Sequence, residues 1–266
     1  MARVILGVAL GLMTLGLLGA SRGEAVVCGD TVAPRSSLTL TANLTDCTTQ
    51  SALTVQGPAI LDLAGHVVSC NQSGGGVIGI NVVGSGAVVR NGRVLKCAEG
   101  VSVHGTGGHL IKNVLANDNE LGFVVASAKN VLTNNGASAN GTGFWVSSGR
   151  NGNGLLLNTA VSNIGDGFNL EGVSGNVLRS NTATSNADGF VLVAASGNGL
   201  VANEAFANAT YGILLTNEFP TNSSKNAVEA NVSLGNAVDL EDDAPSCDGN
   251  GWIGNVFGSR NVICIH

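Results

Sequence analysis

Two stretches of this sequence bring together residues that could do chemistry. The first is basic: His104, His109 and Lys112, preceded by Arg90, Arg93 and Lys96. Cationic side chains form short, charge-assisted hydrogen bonds to carboxylates, and a histidine or lysine base beside them could take a proton from an acidic sugar. Here His104 and Lys112 would be catalytic, while Arg90 and His109 would hold the substrate. The second lies on the outward strand positions, where Trp145 falls between His104 and Glu171. An exposed indole suits stacking on a sugar ring, which makes Trp145 and Glu171 substrate-binding candidates.

Neither stretch carries a complete catalytic set. His104 and Glu171 fall three repeats apart, about 14 Å at the spacing of neighbouring strands. Carboxylate pairs that cleave glycosides sit about 5 to 9.5 Å apart, so these two residues cannot work as one acid–base pair. Near the basic cluster the carboxylates are Asp118 and Glu120, too few for a calcium-assisted site. A separate acidic run, Asp239, Glu241, Asp242, Asp243 and Asp248, offers oxygen ligands that suit calcium, without the spacing of an EF-hand loop.

The elements that must position these residues are repeats. Gly122-Phe123-Val124-Val125, Gly143-Phe144-Trp145-Val146, Gly167-Phe168-Asn169-Leu170 and Gly189-Phe190-Val191-Leu192 are one phrase restated at intervals of 21, 24 and 22 residues. Between them run paired asparagines: Asn135/Asn140, Asn158/Asn163, Asn181/Asn186 and Asn203/Asn208. A period near 22 residues fits three short strands and three turns per coil, stacked so that each coil buries itself against its neighbours. Strand alternation sends the residue after each glycine, and the one two further on, to the same side. Both sets are apolar, so they face inward and the four phenylalanines form a ladder. The anchor glycines are expected at tight turns with positive φ, and the asparagines in turn ladders that accept left-handed geometry. The expected architecture is all-β: a single-stranded right-handed parallel β-helix of eight or nine coils, about 40 Å long at the usual strand spacing.

Flanking segments complete the plan. Residues 1–25 read as a secretory signal, with Arg3 before an apolar run and Gly23-Glu24-Ala25 as a cleavage site. Residues 26–50 read as an N-terminal cap, 51–238 as the repeats and 239–266 as a C-terminal cap around Trp252 and Phe257. The whole chain has a net charge of −6. Without the leader, ten basic residues face seventeen acidic ones, a balance that argues against nucleic acid as a partner. Once the leader is removed, no remaining stretch is long and apolar enough to insert in a membrane. Six cysteines suit an oxidising compartment, secreted, extracellular or periplasmic, and proximity suggests the pairs Cys28/Cys47, Cys70/Cys97 and Cys247/Cys264.

The glycine-aromatic and Asn-x4-Asn phrases resemble the parallel β-helix repeat of the pectate-lyase-like superfamily. So do Cys28-Gly29-Asp30-Thr31, Leu61-Asp62-Leu63-Ala64-Gly65-His66 and the Cys247…Trp252…Phe257…Cys264 tail, which are similar to secreted right-handed β-helix region proteins. The resemblance implies the fold across the mature chain and leaves function open. The paired-aspartate signature of polygalacturonases and the Asp-Pro-His-Asp motif of alginate epimerases are absent. Some relatives deliver copper to a periplasmic reductase. Copper(I) favours sulfur donors, yet Met1 and Met13 both lie in the leader and only His104 and His109 are close in sequence, so no copper is expected. Two readings therefore stand. The first is a carbohydrate-binding or surface-associated protein, with a polysaccharide or cell-surface glycan as partner and no cofactor beyond a conceivable calcium ion. The second is a polysaccharide lyase or epimerase acting on uronates.

Overall fold

The computed structural model describes residues 4–5, 25–71, 76–147, 151–218, 221–244 and 246–266. The leader read for residues 1–25 lies outside them, except for Val4–Ile5, which pairs in parallel with Thr31–Val32, and Ala25. The rest is a β-solenoid of about nine turns. No described helix is long and apolar enough to cross a membrane.

Every coil contributes one strand to each of three parallel sheets. The first sheet has eleven strands in coil order. It runs from Val4–Ile5 and Asp30–Val32 through Ser51–Gln56, Ile78–Val83, Glu99–Val103, Leu121–Val125, Thr142–Val146, Phe168–Glu171, Phe190–Val193 and Tyr211–Thr216 to Val238–Asp242. The second and third sheets are joined where the long strands Val88–Leu95 and Leu110–Asn117 run through both.

The inward pattern read from the repeat holds. Phe123, Phe144, Phe168 and Phe190 are fully buried, and their rings stack at 4.6, 4.7 and 4.8 Å with planes within 6° of parallel. That separation is the inter-strand spacing itself, so backbone register alone places each ring on the next.

The turns differ from expectation in an instructive way. The anchor glycines Gly122, Gly143, Gly167 and Gly189 do not have positive φ. They are needed for close approach: a Cβ on Gly143 would sit 2.5 Å from the Gly167 carbonyl oxygen of the next coil and 3.0 Å from Asn163 Nδ2. Left-handed geometry belongs to the residue before each ladder asparagine: Asn134, Ala139, Leu157 and Ser162 have φ of 53°, 53°, 58° and 54°. The asparagines themselves are buried. Asn158 Nδ2 donates to Asn181 Oδ1 at 3.0 Å and to the Leu132 carbonyl at 2.9 Å, while its backbone N–H donates to the same Asn181 oxygen. Each amide is therefore satisfied by two coils, and each locked αL residue is compensated by buried hydrogen bonds.

Three such ladders run along the rod. Beside the two read from sequence stands Asn130, Asn153, Asn176, Asn198, Asn226 and Asn250. It continues the same x4 spacing one step backward, as in Asn153-x4-Asn158-x4-Asn163.

The two segments read as caps contribute strands to the stack. Ser37–Thr39 pairs with Ile60–Asp62, and Leu44–Cys47 with Val67–Cys70. The first coil thus begins at Asp30 rather than near residue 51. At the other end, the boundary drawn at residue 238 falls inside the strand Val238–Asp242. Trp252 occupies an inward position paired with Val228 and is 2% exposed. Disulfides join Cys28–Cys47, Cys70–Cys97 and Cys247–Cys264.

Candidate functional site

The outer face of the first sheet carries one stripe of side chains in strict register. Thr31, Thr54, Asn81 and Ser102 occupy successive rungs, followed by Val124, Trp145 and Asn169. A flat parallel sheet holds such positions fixed relative to one another, because each strand is bonded to both neighbours.

Trp145 is the large side chain on this stripe, and it is half-buried. Its Nε1 donates to Glu171 Oε2 at 3.1 Å, one rung further on. The indole is therefore held at its polar edge. On the same face Asn169 Nδ2 donates to Asp166 Oδ2 at 2.6 Å, while Asn169 Oδ1 is buried without a partner. Burial pushes the Asp166 carboxyl above its usual range; the Asn169 amide opposes this, and the neighbouring Asp188 carboxylate adds to it. Asp188 in turn accepts the Tyr211 backbone N–H at 2.9 Å. The Asp166/Asp188 stacking follows from their shared position before the anchor glycines. The Asp166–Asn169 contact was missed in the sequence, because the three-residue spacing has meaning only once the strand start is known.

The basic residues are spread over different faces. His104 closes the first-sheet strand, and its Nε2 meets Ser102 Oγ at 2.6 Å over a serine that is fully buried. Lys112 lies on the second sheet in register with Arg90, whose Nε bonds Asp62 Oδ2 at 2.8 Å. His109 does not reach the surface: it is 1% exposed and stands one rung before Asn130 in the added asparagine ladder. The Ala87 N–H donates to His109 Nδ1 at 3.0 Å, so the ring proton sits on Nε2 and is given to the His104 carbonyl at 3.0 Å. Burial pushes its pKa below the ordinary histidine range, against hydrogen bonds to the backbone of His104 and Gly84. His109 is thus a rung of the scaffold, and the spacing that grouped it with Lys112 reflects a turn between two sheets.

Two residues of the acidic run, Asp239 and Asp242, are engaged in the scaffold. Asp239 Oδ1 accepts from Asn236 Nδ2 at 3.0 Å, and its Oδ2 accepts the Gly258 and Ser259 N–H groups. Asp242 Oδ2 accepts from Asn250 Nδ2 and Trp252 Nε1, both at 3.0 Å. Among the described residues no three His, Cys, Asp or Glu side chains gather to hold a metal.

A stack of three parallel sheets, one strand per coil, defines the class: a right-handed β-helix. Residues 48–262 match the family model described as periplasmic copper-binding protein (NosD), and the chain belongs to that family. No curated protein matches the sequence. Among solved structures, endopolygalacturonase I from Stereum purpureum, complexed with two galacturonates, aligns at 15% identity and TM-score 0.64, over 90% of this chain and 93% of that one. Pectate lyase Pel9A aligns at 16% and 0.59, covering 99% and 78%. The periplasmic alginate epimerase AlgG aligns at 13% and 0.60, covering 87% and 70%. At these identities the likeness is one of fold. The periplasmic family and the three disulfides agree on an oxidising compartment.

The donor set of the described residues does not fit the copper in the family's description. All six cysteines are in disulfides, and Met1 and Met13 lie outside the described residues. His109 has both ring nitrogens engaged by backbone. A copper(I) site wants soft thiolate or thioether sulfur, and no free sulfur is present on the described solenoid.

Proposed function

We propose that this chain is a glycan-binding β-helix of the periplasm whose recognition face is the outer surface of the first sheet. The observation that carries this reading is the Trp145–Glu171 contact at 3.1 Å. A ring tethered at its N–H loses little side-chain freedom on binding, and an amphipathic aromatic fixed on a flat surface is an economical platform for a sugar. Glu171 keeps acceptor capacity on its second carboxylate oxygen, which can take a sugar hydroxyl. The solved structures that share the fold include an alginate epimerase, a pectate lyase and an endopolygalacturonase complexed with galacturonate, which supports a polysaccharide as the ligand class. The alternative is a lyase or epimerase built on His104, which follows the first-sheet strand Glu99–Val103, and Lys112, which lies in Leu110–Asn117. Titration with an oligosaccharide panel tests the proposal: binding abolished by Trp145→Ala supports it, and absence of binding to any glycan removes it.

A further inference from the structure

The N-terminal end of the same face holds a cleft of about 550 Å³, lined among others by Asp30, Thr31, Thr49, Ser51, Thr54 and Asn81. Asp30 is 2% exposed. Its Oδ2 accepts the Val27 N–H at 2.8 Å, but its Oδ1 is buried with no partner. Asn81 Oδ1, on the same wall, is also buried and unpartnered. Buried acceptors in a folded protein are nearly always satisfied, and an uncompensated carboxylate is the costliest exception. No lysine or arginine lines the cleft among the described residues. What the cleft lacks is a cation, and what surrounds the gap is hydroxyl and amide rather than aromatic.

We infer that this cleft is a second binding site, selective for an unacetylated amino sugar. The ligand's ammonium supplies the charge that Asp30 lacks and its hydroxyls bond the Asn81 amide oxygen and the threonine and serine hydroxyls. A charge-assisted hydrogen bond is about twice as strong as a neutral one. A uronate is excluded by repulsion from Asp30. The lining also argues against simple diamines, which would leave the hydroxyl groups without partners. The site goes beyond the Trp145 platform: Thr31 and Trp145 stand five rungs apart, about 24 Å at the strand spacing. A monosaccharide in the cleft cannot touch Trp145.

That separation sets the experiment. Amide chemical shifts of the isotopically labelled protein are followed while methyl glucosaminide, methyl glucoside, methyl N-acetylglucosaminide, methyl galacturonide and putrescine are added in turn. Expected are saturable shifts at Thr31, Ser51 and Asn81 with the glucosaminide, at least tenfold tighter than with any other probe. Asp30→Asn should weaken glucosaminide binding at least tenfold, and Trp145→Ala should leave it unchanged. If Asp30→Asn does not fold, Thr54→Val replaces it, with a loss of at least threefold. The inference is overturned by no saturable shift with the glucosaminide, by equal affinity for any other probe, by unchanged affinity in the cleft variant, or by loss in Trp145→Ala. Failure of oligosaccharides to bind at Trp145 would count against the platform alone.

Discussion

Asn236 donates through Nδ2 to Asp239 Oδ1 at 3.0 Å, so a ladder of amides ends on a carboxylate. Along the preceding rungs each asparagine gives its N–H to the Oδ1 of the next coil, from Asn119 through Asn140, Asn163, Asn186 and Asn208 to Asn236. The donors all point toward the C-terminal end. A head-to-tail ladder must finish on an acceptor, and Asp239 supplies one. The Asn130 ladder ends the same way, on Asp242 through Asn250. Two members of the acidic run, Asp239 and Asp242, are the termini of amide ladders.

Asp239→Ala should therefore cost more than an ordinary surface change. It strands the Asn236 amide and the Gly258 and Ser259 N–H groups, and a loss of about 3 kcal/mol is expected for a buried, multiply bonded carboxylate. Burial raises the Asp239 carboxyl, but the bonds from Asn236, Gly258 and Ser259 outweigh it and hold the pKa below the ordinary aspartate range. A depressed folded-state pKa gives stability that is present above the unfolded value and lost as pH falls through the folded one. Chemical denaturation from pH 7 to 2 should show the wild-type advantage over Asp239→Ala shrinking only below about pH 3.8. An advantage that persists undiminished at pH 2 would contradict the assignment.

Asp166 should behave in the opposite sense. Its pKa is raised, chiefly by burial and further by Asp188. A raised folded-state pKa gives stability that is full below the unfolded value and lost as pH rises through the folded one. Asp166→Asn supplies a permanent donor toward Asp188 and keeps an acceptor for Asn169. The variant should melt several degrees higher than wild type at pH 7, with the gap closing toward pH 4. Equal melting at pH 7 would show that the two carboxylates do not oppose each other.

Two glycine substitutions separate close approach from backbone conformation. Gly143 has no positive φ, but an added Cβ would lie 2.5 Å from the Gly167 carbonyl oxygen. Gly197 has φ of 64° and open space around it. Gly197→Ala should cost about 1 kcal/mol, the penalty of a left-handed alanine. Gly143→Ala should cost several times more, about 3 kcal/mol or above, because two coils must part. Urea midpoints of the two variants check the order. A Gly197 penalty larger than that of Gly143 would restore the turn explanation.

Much of this architecture was legible because a solenoid writes its own register. Phe123, Phe144, Phe168 and Phe190 recur at the coil period, and that period alone stacks them. The asparagine ladders were legible for the same reason, although the third one was missed because Asn130 and Asn153 fall outside the glycine-aromatic phrase. The functional surface was harder to read. Outward residues need not repeat, so Trp145 stood out while its tether to Glu171 did not, since the two are 26 residues apart and adjacent only across a rung. His109 is buried in the turn just before the strand that carries Lys112, with both ring nitrogens on backbone groups, which its type and spacing alone do not reveal. The terminal segments misled because their strands are short and broken by loops, which hides a coil behind an irregular spacing.

The copper of the family description can be tested on the intact oxidised protein. Competition against a copper(I) chelator should show no stoichiometric metal retained at micromolar protein, since the described solenoid offers no free sulfur. One equivalent held through gel filtration would contradict this.

The Trp145 platform is tested most directly by fluorescence titration. The chain has two tryptophans, and Trp252 is buried in the last coil at 2% exposure, so a surface glycan can perturb only Trp145. A panel of neutral, amino and uronate oligosaccharides should include one that shifts the emission saturably. That shift should vanish in Trp145→Ala, and affinity should fall about tenfold in Glu171→Gln, whose amide can no longer accept with full charge. An emission spectrum unmoved by every glycan in the panel, or a binding isotherm identical in wild type and Trp145→Ala, would contradict the assignment of this face.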